Sequence, residues 1–528
     1  MKILICDGLH KDGVDVFFNK AKDLIVEVHD RLELAGVLER IGDADGLVVR
    51  SRTKVDKNIL DAGKNLKVVG RAGAGVDNID IEAATERGIL VMNTPGANAM
   101  AAAEHTMAMM LALSRHIPQA DRSLREGRWD KKLYLGTELY NHALGIIGLG
   151  RVGSIVAERA LGFKMRVLAH DPYLAPERAA QLGVEMTSLD DLLRRADYIS
   201  LHTSLSKETE DLLNEAAFAR MKPGVRIINC ARGGLLNEEA LYKAILDKRV
   251  SGAALDVFGK EPPGDNPLLF LPQVVVTPHL GAASEQAQIN VAIAIADQMV
   301  DFLQNGIIKN AVNVPSVSPQ MVERLRPYML LAERLGTFLS QCLKGNVGRL
   351  KVAYGGSLWD LDLAPVTQAA LKGFLQRALD DHVNLVNAPA IMRNRGISVE
   401  VASTSEVRGY TGLVSLTVVT DQGEFQVAGS VFPESECRIV RINDYHLEAP
   451  LKGRMLLIAN YDRPGVIGVI GTTLGSHGVN IADMHLCRRL PHEGKAMSLI
   501  TVDSPTPFAA LKTLREHQDI IRVDVIEI

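Results

Sequence analysis

The sequence of 528 residues lacks the features that mark secreted or membrane proteins. Its cysteines are few and far apart (Cys6, Cys230, Cys342, Cys437 and Cys487), so they form neither a metal-ligand pair nor a disulfide framework. No apolar run reaches membrane-spanning length without an interrupting charge, glycine or proline. The N-terminus lacks the cationic, apolar and small-residue order of a signal peptide. We therefore expect a soluble cytoplasmic protein.

An excess of charge of one sign is also absent. The chain has 59 basic and 63 acidic residues, for a formal net charge of −4. This balance gives no reason to expect nucleic-acid or membrane binding. Hydrophobic residues make up 47% of the chain, enough for several cores. The length suggests roughly three to four domains.

Strand and helix patterns alternate through the first 316 residues, which predicts α/β architecture. Buried strands are predicted at 2–7, 46–50 and 66–70, with helices between them. A long helix rich in alanine and methionine at 97–120 is expected to bridge two lobes. Six strands between 143 and 279 match a doubly wound nucleotide-binding domain. A helix at 285–304 then leads back to the first lobe.

The remaining chain has a different pattern of predicted helices and strands. Residues 317–452 predict an α+β unit that begins with a helix pair at 319–343 and continues with alternating strands and turns. From 453 to 528 the order strand–helix–strand–strand–helix–strand predicts a ferredoxin-like sandwich. Between them, "HLEAPLKGR" holds His446, Lys452 and Arg454. We interpret it as a solvated linker, with an anionic effector site as the alternative.

A glycine-rich turn is the strongest local motif. Gly148, Gly150 and Gly153 form GxGxxG between a strand and a helix. The first glycine permits the tight turn, the second lets the backbone approach a pyrophosphate, and the third lets the helix pack on the strand. The next strand ends at Asp171, whose carboxylate would accept hydrogen bonds from ribose hydroxyls and repel a 2′-phosphate. The motif therefore predicts NAD rather than NADP.

Three reactive side chains follow three successive predicted strands: Arg232, Glu261 and His279. Ligands bind at the carboxyl ends of strands in open α/β sheets, so the three can share one cleft. Arginine matches a carboxylate with two parallel bonds. Histidine can take a proton from a hydroxyl near neutral pH, and a neighbouring glutamate would fix its tautomer. A salt bridge for Arg232 and a solvated loop for Glu261 are the structural alternatives for each residue alone.

The motifs "LGIIGLGRVG", "INCARGG", "LDVFGKEPP" and "TPHLGA", in this order, resemble the D-isomer-specific 2-hydroxyacid dehydrogenase family. "VVRSRTKV" and "VVGRAGAGVDNIDIEAATERGILVMNTP" are similar to members that oxidise 3-phospho-D-glycerate, in their long form. The resemblance implies doubly wound parallel sheets in two lobes, a flavodoxin-like substrate domain and a Rossmann-type NAD domain. An α+β intervening domain and a C-terminal ferredoxin-like ACT domain would follow. The implied domain bounds are 1–97 with 286–316 for the substrate domain, 98–285 for the NAD domain, 317–452 for the intervening domain and 453–528 for the ACT domain.

The resemblance also implies functional residues. The catalytic set is Arg232, Glu261 and His279. Cofactor contacts are implied at Gly148, Gly150, Arg151, Val152, Gly153, Asp171, Thr203, Cys230, Ala231, Asp256, Gly281 and Ala282. Substrate contacts are implied at Arg50, Arg71, Gly73, Arg232 and His279, with Arg52 as a further candidate and Lys131 or Lys132 supplied by a partner subunit. Many members have threonine at the position of Ala74, so only a backbone contact is expected there. No metal is expected.

The implied reaction is the NAD-dependent oxidation of 3-phospho-D-glycerate to 3-phosphohydroxypyruvate, the first step of L-serine biosynthesis. A homodimer through 97–140 or a homotetramer through the C-terminal domains is implied. Asp462 and Asn480 would hold L-serine between paired ACT domains, although Asn460 stands where relatives tend to have tyrosine or histidine. One alternative is another D-2-hydroxyacid dehydrogenase, such as a hydroxypyruvate or glyoxylate reductase, which would not need Arg50 and Arg71. The other is a dinucleotide-sensing regulator.

Overall fold

The computed structural model describes residues 1–20, 23–315, 319–358, 361–377, 379, 383–405, 407, 409–488 and 494–528. The described chain forms four sheets that follow one another along the sequence. Within these ranges, no helix is both long enough and apolar enough to cross a membrane. The predicted boundary between 316 and 317 lies outside the described residues.

The first sheet is parallel, with the order β2-β1-β3-β4-β5. This is the flavodoxin-like order, as predicted. Its strands are β1 (Lys2–Ile5), β2 (Ile25–Val28), β3 (Gly46–Val49), β4 (Val68–Arg71) and β5 (Leu90–Met92). Its helices are α1 (Lys11–Lys20), α2 (Leu34–Arg40), α3 (Lys57–Ala62) and α4 (Ile81–Glu86). The sequence prediction missed β2, a partly exposed edge strand, and β5, which has only three residues.

The second sheet is also parallel, with the Rossmann-type order β12-β11-β10-β9-β6-β7-β8. Its strands are β6 (Ala143–Ile147), β7 (Arg166–His170), β8 (Glu185–Met186), β9 (Tyr198–Leu201), β10 (Val225–Asn229), β11 (Val250–Leu255) and β12 (Val274–Val276). Its helices are α5 (Ala99–Arg115), α6 (Ile117–Arg125), α7 (Arg151–Gly162), α8 (Pro176–Gln181), α9 (Leu189–Arg195), α10 (Glu215–Arg220) and α11 (Glu238–Leu246). Helix α12 (Glu285–Asn305) follows the last strand and packs on the first sheet. The six predicted strands are confirmed. The two-residue β8 is too short to show a pattern in the sequence.

The chain crosses between these two sheets twice, through α5 and α12. The helix predicted at 97–120 ends at Arg115, because His116 is left-handed (φ 52°) and α6 starts again with a proline in its first turn. Met110 of α5 is buried in the core of the second sheet. Ile295 and Met299 of α12 pack into the core of the first sheet. Each crossing helix is thus anchored by its apolar face to one lobe.

The third sheet is mixed, with the order β14-β13-β15-β16-β17-β18. Its strands are β13 (Val347–Gly356), β14 (Ser398–Ser403), β15 (Gly412–Thr420), β16 (Gly423–Phe432), β17 (Glu436–Ile442) and β18 (Tyr445–Pro450). Its helices are α13 (Pro319–Gln341), α14 (Ala364–Gln376) and α15 (Ala388–Asn394). The α+β prediction is confirmed for this part of the chain.

Two local predictions in this region are wrong. The helix pair at 319–343 is one helix, α13, which continues through Pro327. Its buried Leu325, Leu331 and Phe338 lie on both sides of the proline, so one apolar face holds the helix together. The interpretation of 446–454 as a linker fails because β18 pairs with β17 and buries Ala449.

The fourth sheet is antiparallel, with the order β20-β21-β19-β22. Its elements are β19 (Arg454–Tyr461), α16 (Val466–Ser476), β20 (Ile481–Arg488), β21 (Lys495–Val502), α17 (Phe508–Glu516) and β22 (Ile520–Glu527). This confirms the predicted ferredoxin-like order of elements. The helices cover one face of the sheet.

The other face of the fourth sheet has no core of its own. Its Leu457 and Ile526 join one buried cluster with Phe338 of α13. A second junction links the third sheet to the first: Asn384 Nδ2 donates to the Gly88 carbonyl oxygen at 2.9 Å. Val386, two residues on, is buried in the core of the first sheet.

Candidate active site

The three predicted reactive residues lie at one edge of the second sheet. Arg232, Glu261 and His279 follow β10, β11 and β12, which are parallel neighbours. His279 Nδ1 lies 2.8 Å from Glu261 Oε2. The other Glu261 oxygen accepts a hydrogen bond from the Phe258 amide at 3.2 Å, which orients the carboxylate. With Nδ1 engaged, Nε2 is the His279 nitrogen that can exchange a proton with a ligand.

A fully buried carboxylate, Asp256, holds the loop that carries His279. Asp256 Oδ1 accepts from Thr277 Oγ1 at 2.6 Å and from the Leu280 amide at 2.7 Å. Asp256 Oδ2 accepts from the Gly281 amide at 2.8 Å. His279 itself has a φ of 56°, which is uncommon for a residue with a side chain. The bonds to Asp256 fix the backbone on the C-terminal side of this residue.

The same carboxylate belongs to a polar cluster below the loop. Ligand atoms of His105, Cys230 and Asp256 lie within 4.8 Å of one another. Burial alone would raise the pKa of Asp256, but hydrogen bonds from His105, Thr277 and the loop amides outweigh it and lower the pKa. Burial raises the pKa of Cys230 to about 12, so its thiol stays protonated and is a poor metal ligand. Within this cluster, hydrogen bonds join His105, Thr277 and Asp256, and they link α5 to the His279 loop.

The glycine-rich turn has the geometry that a dinucleotide needs. Gly148 has a φ of 92°, and a Cβ there would lie 2.6 Å from the His202 carbonyl oxygen. A Cβ on Gly153 would clash with the Gly148 carbonyl oxygen. A Cβ on Gly150 would meet nothing within 4 Å, so this backbone is open to a ligand. Helix α7 starts at Arg151 without a side-chain cap, which leaves its first amides for phosphate oxygens.

The other predicted cofactor residues lie on the same edge of the sheet. Asp171 follows β7, and its carboxylate is oriented by the amides of Leu149 and Tyr173, each at 2.9 Å. Thr203 lies beside the glycine turn, after β9. The remaining positions lie at the start of α7 or after β10 and β12: Arg151, Val152, Cys230, Ala231, Gly281 and Ala282. These residues fit a bound NAD.

A cluster of arginines faces the site from the first sheet. Arg50 follows β3, and Arg71 ends β4. Burial, together with the neighbouring charges of Arg232 and Arg50, lowers the pKa of Arg71 to about 10. A Cβ on Gly73 would clash with the Arg71 guanidinium, so this glycine makes room for it. Three cations from two lobes therefore lie close together.

The sequence prediction missed three residues that hold these arginines. Asp77 Oδ2 lies 3.1 Å from Arg232 Nε. Asn229 Nδ2 donates to the Arg232 carbonyl oxygen at 2.9 Å. Gln288 Oε1 accepts a hydrogen bond from Arg50 Nη2, across 238 positions of the sequence. Asp77 and Asn229 lie inside the motifs quoted above, whereas no sequence signal points to Gln288.

Several further predicted residues lie on the surface. The side chains of Arg52, Lys131 and Lys132 are exposed. The Ala74 carbonyl oxygen accepts a hydrogen bond from Asn93 within the first lobe. Arg454 Nε lies 3.3 Å from Glu527 in the fourth sheet.

The two predicted regulatory residues have different partners. Asp462 lies 2.8 Å from Arg488 Nε. Asn480 Nδ2 donates to Asp503 Oδ2 at 2.6 Å. Asn460 is buried, and its Nδ2 donates to the Tyr461 carbonyl oxygen. A regulatory role of these residues stays a prediction.

Comparisons with known proteins agree with this geometry. Residues 107–281 match the family model "D-isomer specific 2-hydroxyacid dehydrogenase, NAD binding domain". Residues 324–443 match the model "D-3-phosphoglycerate dehydrogenase intervening domain". The solved D-lactate dehydrogenase from Aquifex aeolicus, complexed with NAD and lactic acid, is 29% identical, with a TM-score of 0.53 over 60% of this chain and 100% of its own. The TT0316 protein from Thermus thermophilus is 38% identical, with a TM-score of 0.55 over 59% of this chain and 100% of its own.

Similarity to curated relatives extends over nearly the whole chain. The D-3-phosphoglycerate dehydrogenase of Synechocystis sp. is 42% identical over 97% of this chain and 92% of its own length. That of Methanocaldococcus jannaschii is 42% identical over 100% of both chains. The matched domain makes the protein an NAD-dependent oxidoreductase, so the predicted cofactor is confirmed. The chain belongs to the D-3-phosphoglycerate dehydrogenase family of the D-isomer specific 2-hydroxyacid dehydrogenases.

Proposed function

We propose that this protein oxidises 3-phospho-D-glycerate to 3-phosphohydroxypyruvate with NAD, the first step of L-serine biosynthesis. The observation that carries the proposal is the cluster of Arg50, Arg71 and Arg232 at the cleft that holds the His279–Glu261 pair. A substrate with an anionic group at each end matches several cations around one proton acceptor. The names of the full-length relatives support the same substrate.

Each side chain has a separate task in this reaction. Arg232 binds the substrate carboxylate and stabilises charge that develops on the C2 oxygen. His279 Nε2 accepts the proton of the C2 hydroxyl. Glu261 then stabilises the imidazolium through the 2.8 Å contact at Nδ1. Arg50 and Arg71 bind the phosphate.

NAD, when bound, supplies the acceptor for the hydride from C2. The amides at the start of α7 would face its pyrophosphate, and the open backbone of Gly150 would let it approach closely. Asp171 would accept hydrogen bonds from ribose hydroxyls. The full proposed cofactor set is Gly148, Gly150, Arg151, Val152, Gly153, Asp171, Thr203, Cys230, Ala231, Asp256, Gly281 and Ala282. Asp256 contributes through the loop that it orients.

A comparison of two substrates tests the proposal. NADH formation is measured by absorbance with 3-phospho-D-glycerate and with D-glycerate. We expect 3-phospho-D-glycerate to have a kcat/KM at least about 100-fold higher, because it gains a charge-assisted contact with Arg50 and Arg71. Arg50→Gln is the control variant, and it should raise the KM for the phosphorylated substrate alone.

Two outcomes would contradict the proposal. Equal kcat/KM values would favour a dehydrogenase of unphosphorylated acids, such as a hydroxypyruvate or glyoxylate reductase. If neither acid gave NADH, the proposal that 3-phospho-D-glycerate is the substrate would be wrong.

The assembly and its control are part of the proposal. Trp129, Leu133 and Leu135 are 81%, 73% and 86% exposed, which supports a homodimer through 97–140. A homotetramer would add contacts between C-terminal ACT domains, with L-serine held at Asp462 and Asn480. The proposed domains are 1–97 with 286–316 (substrate), 98–285 (NAD), 317–452 (intervening) and 453–528 (ACT). Free cysteines throughout the described chain support a cytoplasmic location.

A further inference from the structure

One ion pair crosses the cleft between the two lobes. Asp77 lies in the loop after β4 of the first sheet, and Arg232 lies after β10 of the second. The two residues are 155 positions apart in the sequence, yet Asp77 Oδ2 is 3.1 Å from Arg232 Nε. A residue of one lobe thus holds the key cation of the other.

The Arg232 guanidinium is held at more than this one point. Its Nη1 donates to the carbonyl oxygen of Ala231 at 2.7 Å. A Cβ on Gly75 would clash with Arg232 Nη2 and would lie 2.8 Å from Asp77 Oδ2. The absence of a side chain at Gly75 therefore leaves the space in which the arginine and Asp77 meet. A side chain at this position would push the pair apart.

These contacts leave one part of the guanidinium available. Arginine has five N–H donors in a fixed plane. Asp77 takes the Nε donor and Ala231 takes one Nη1 donor. Three donors remain, one on Nη1 and two on Nη2, and these two nitrogens form the terminal edge of the guanidinium, through which it can bind a carboxylate.

We propose that Asp77 is a positioning residue for Arg232, which it turns so that this terminal edge meets the carboxylate of the 2-hydroxy acid. The inference rests on the proposed function, since it takes Arg232 as the carboxylate ligand. The side chain of Asp77 is 69% exposed and that of Arg232 31% exposed. An exposed pair adds little to folding stability, so Asp77 variants are expected to fold.

Asp77 could instead act as a negative charge that repels the substrate, and that role predicts the opposite change in substrate affinity. If Asp77 acted mainly as a negative charge that competes with the anionic substrate, its removal would strengthen substrate binding. If it positions Arg232, its removal weakens binding, because the guanidinium is free to rotate away. The sign of the change in substrate affinity therefore separates the two roles.

The test uses Asp77→Ala and Asp77→Asn in the full-length protein. Oxalate, a small dicarboxylate without a phosphate, is titrated into the NADH-loaded protein by calorimetry, and the KM for 3-phospho-D-glycerate is measured in parallel. Asp77→Ala should raise the Kd of oxalate and this KM about tenfold, with the KM for NAD unchanged. Asp77→Asn keeps an oxygen that can accept from Nε, so its affinity should lie between wild type and Asp77→Ala.

An Arg232→Lys background provides the coupling control. Lysine has no Nε–H fork to orient, so Asp77→Ala should change oxalate affinity there by less than about twofold. Unchanged or tighter oxalate binding in Asp77→Ala, or the same tenfold loss in the lysine background, would overturn the proposal. Oxalate binding does not require turnover. If the wild type failed to oxidise 3-phospho-D-glycerate while Asp77→Ala still weakened oxalate binding, the proposed substrate would fail and the role of Asp77 would stand.

Discussion

The contact between His279 and Glu261 makes a quantitative prediction for Glu261→Gln. The glutamine can turn its one oxygen toward His279 Nδ1, so the ring can stay oriented, while the negative charge and the hydrogen bond from the Phe258 amide are lost. Two unit charges 2.8 Å apart interact by about 1.5 kcal/mol in bulk water and about 6 kcal/mol at an effective dielectric constant of about 20. The side chains of His279 and Glu261 are 49% and 39% exposed, so the aqueous limit is the better guide. We expect a loss of about 1.5–2 kcal/mol of imidazolium stabilisation.

This loss corresponds to a fall in kcat of about ten- to thirty-fold, because about 1.4 kcal/mol equals a factor of ten in rate. The assay is steady-state NADH formation under saturating NAD, with the Kd of NADH measured by fluorescence to show that the cofactor domain is intact. Glu239→Gln is the matched control, since Glu239 is an exposed glutamate on α11 that forms an ion pair with Lys243, one turn further along the same helix. A kcat for Glu261→Gln within about twofold of wild type would refute the role of the Glu261 charge.

Two further predictions concern the backbone around the cofactor and the catalytic loop. Gly150→Ala should weaken NADH binding at unchanged thermal stability, whereas Gly153→Ala should lower the stability by about 1–3 kcal/mol, because only the Cβ at position 153 clashes with backbone. Calorimetry measures NADH binding and thermal unfolding measures the stability of both variants. Equal melting temperatures for the two variants would contradict the prediction. Asp256→Asn turns a donor toward the loop amides and should cost about 3 kcal/mol at pH 7, measured by denaturant unfolding. Since the pKa of Asp256 is lowered on folding, the stabilisation by its carboxylate is present above the unfolded pKa and is lost as the pH falls through the lower folded value. The difference in unfolding free energy between wild type and Asp256→Asn should therefore shrink in acid. A difference that stays constant with pH would contradict the prediction.

The parts of the site that follow from local sequence were predictable. Parallel strands bring their carboxyl ends to one edge, so the positions of Arg232, Glu261 and His279 could be predicted from three strand patterns. The glycines of the turn were predictable for a similar reason. Backbone packing within a single strand–turn–helix unit requires them, as the clashes at Gly148 and Gly153 illustrate.

The contacts between lobes were not predictable in the same way. The pairs Asp77–Arg232 and Arg50–Gln288 depend on how two separately folded sheets face each other. No periodicity within either segment contains that information. The error at α13 has a different cause: Pro327 is a local helix-breaking signal, and tertiary packing of the flanking apolar residues overrides it.

The core shared by α13 and the fourth sheet constrains how any signal could leave the C-terminal end of the chain. Leu457 and Phe338 belong to one buried cluster, so the third and fourth sheets should unfold together and move as a single body. A change at Asp462 or Asn480 would then reach the catalytic lobes as a tilt of this whole body. This movement would be transmitted at the hydrogen bond between Asn384 and Gly88, to the lobe that carries Arg50 and Arg71 rather than to the lobe that carries His279.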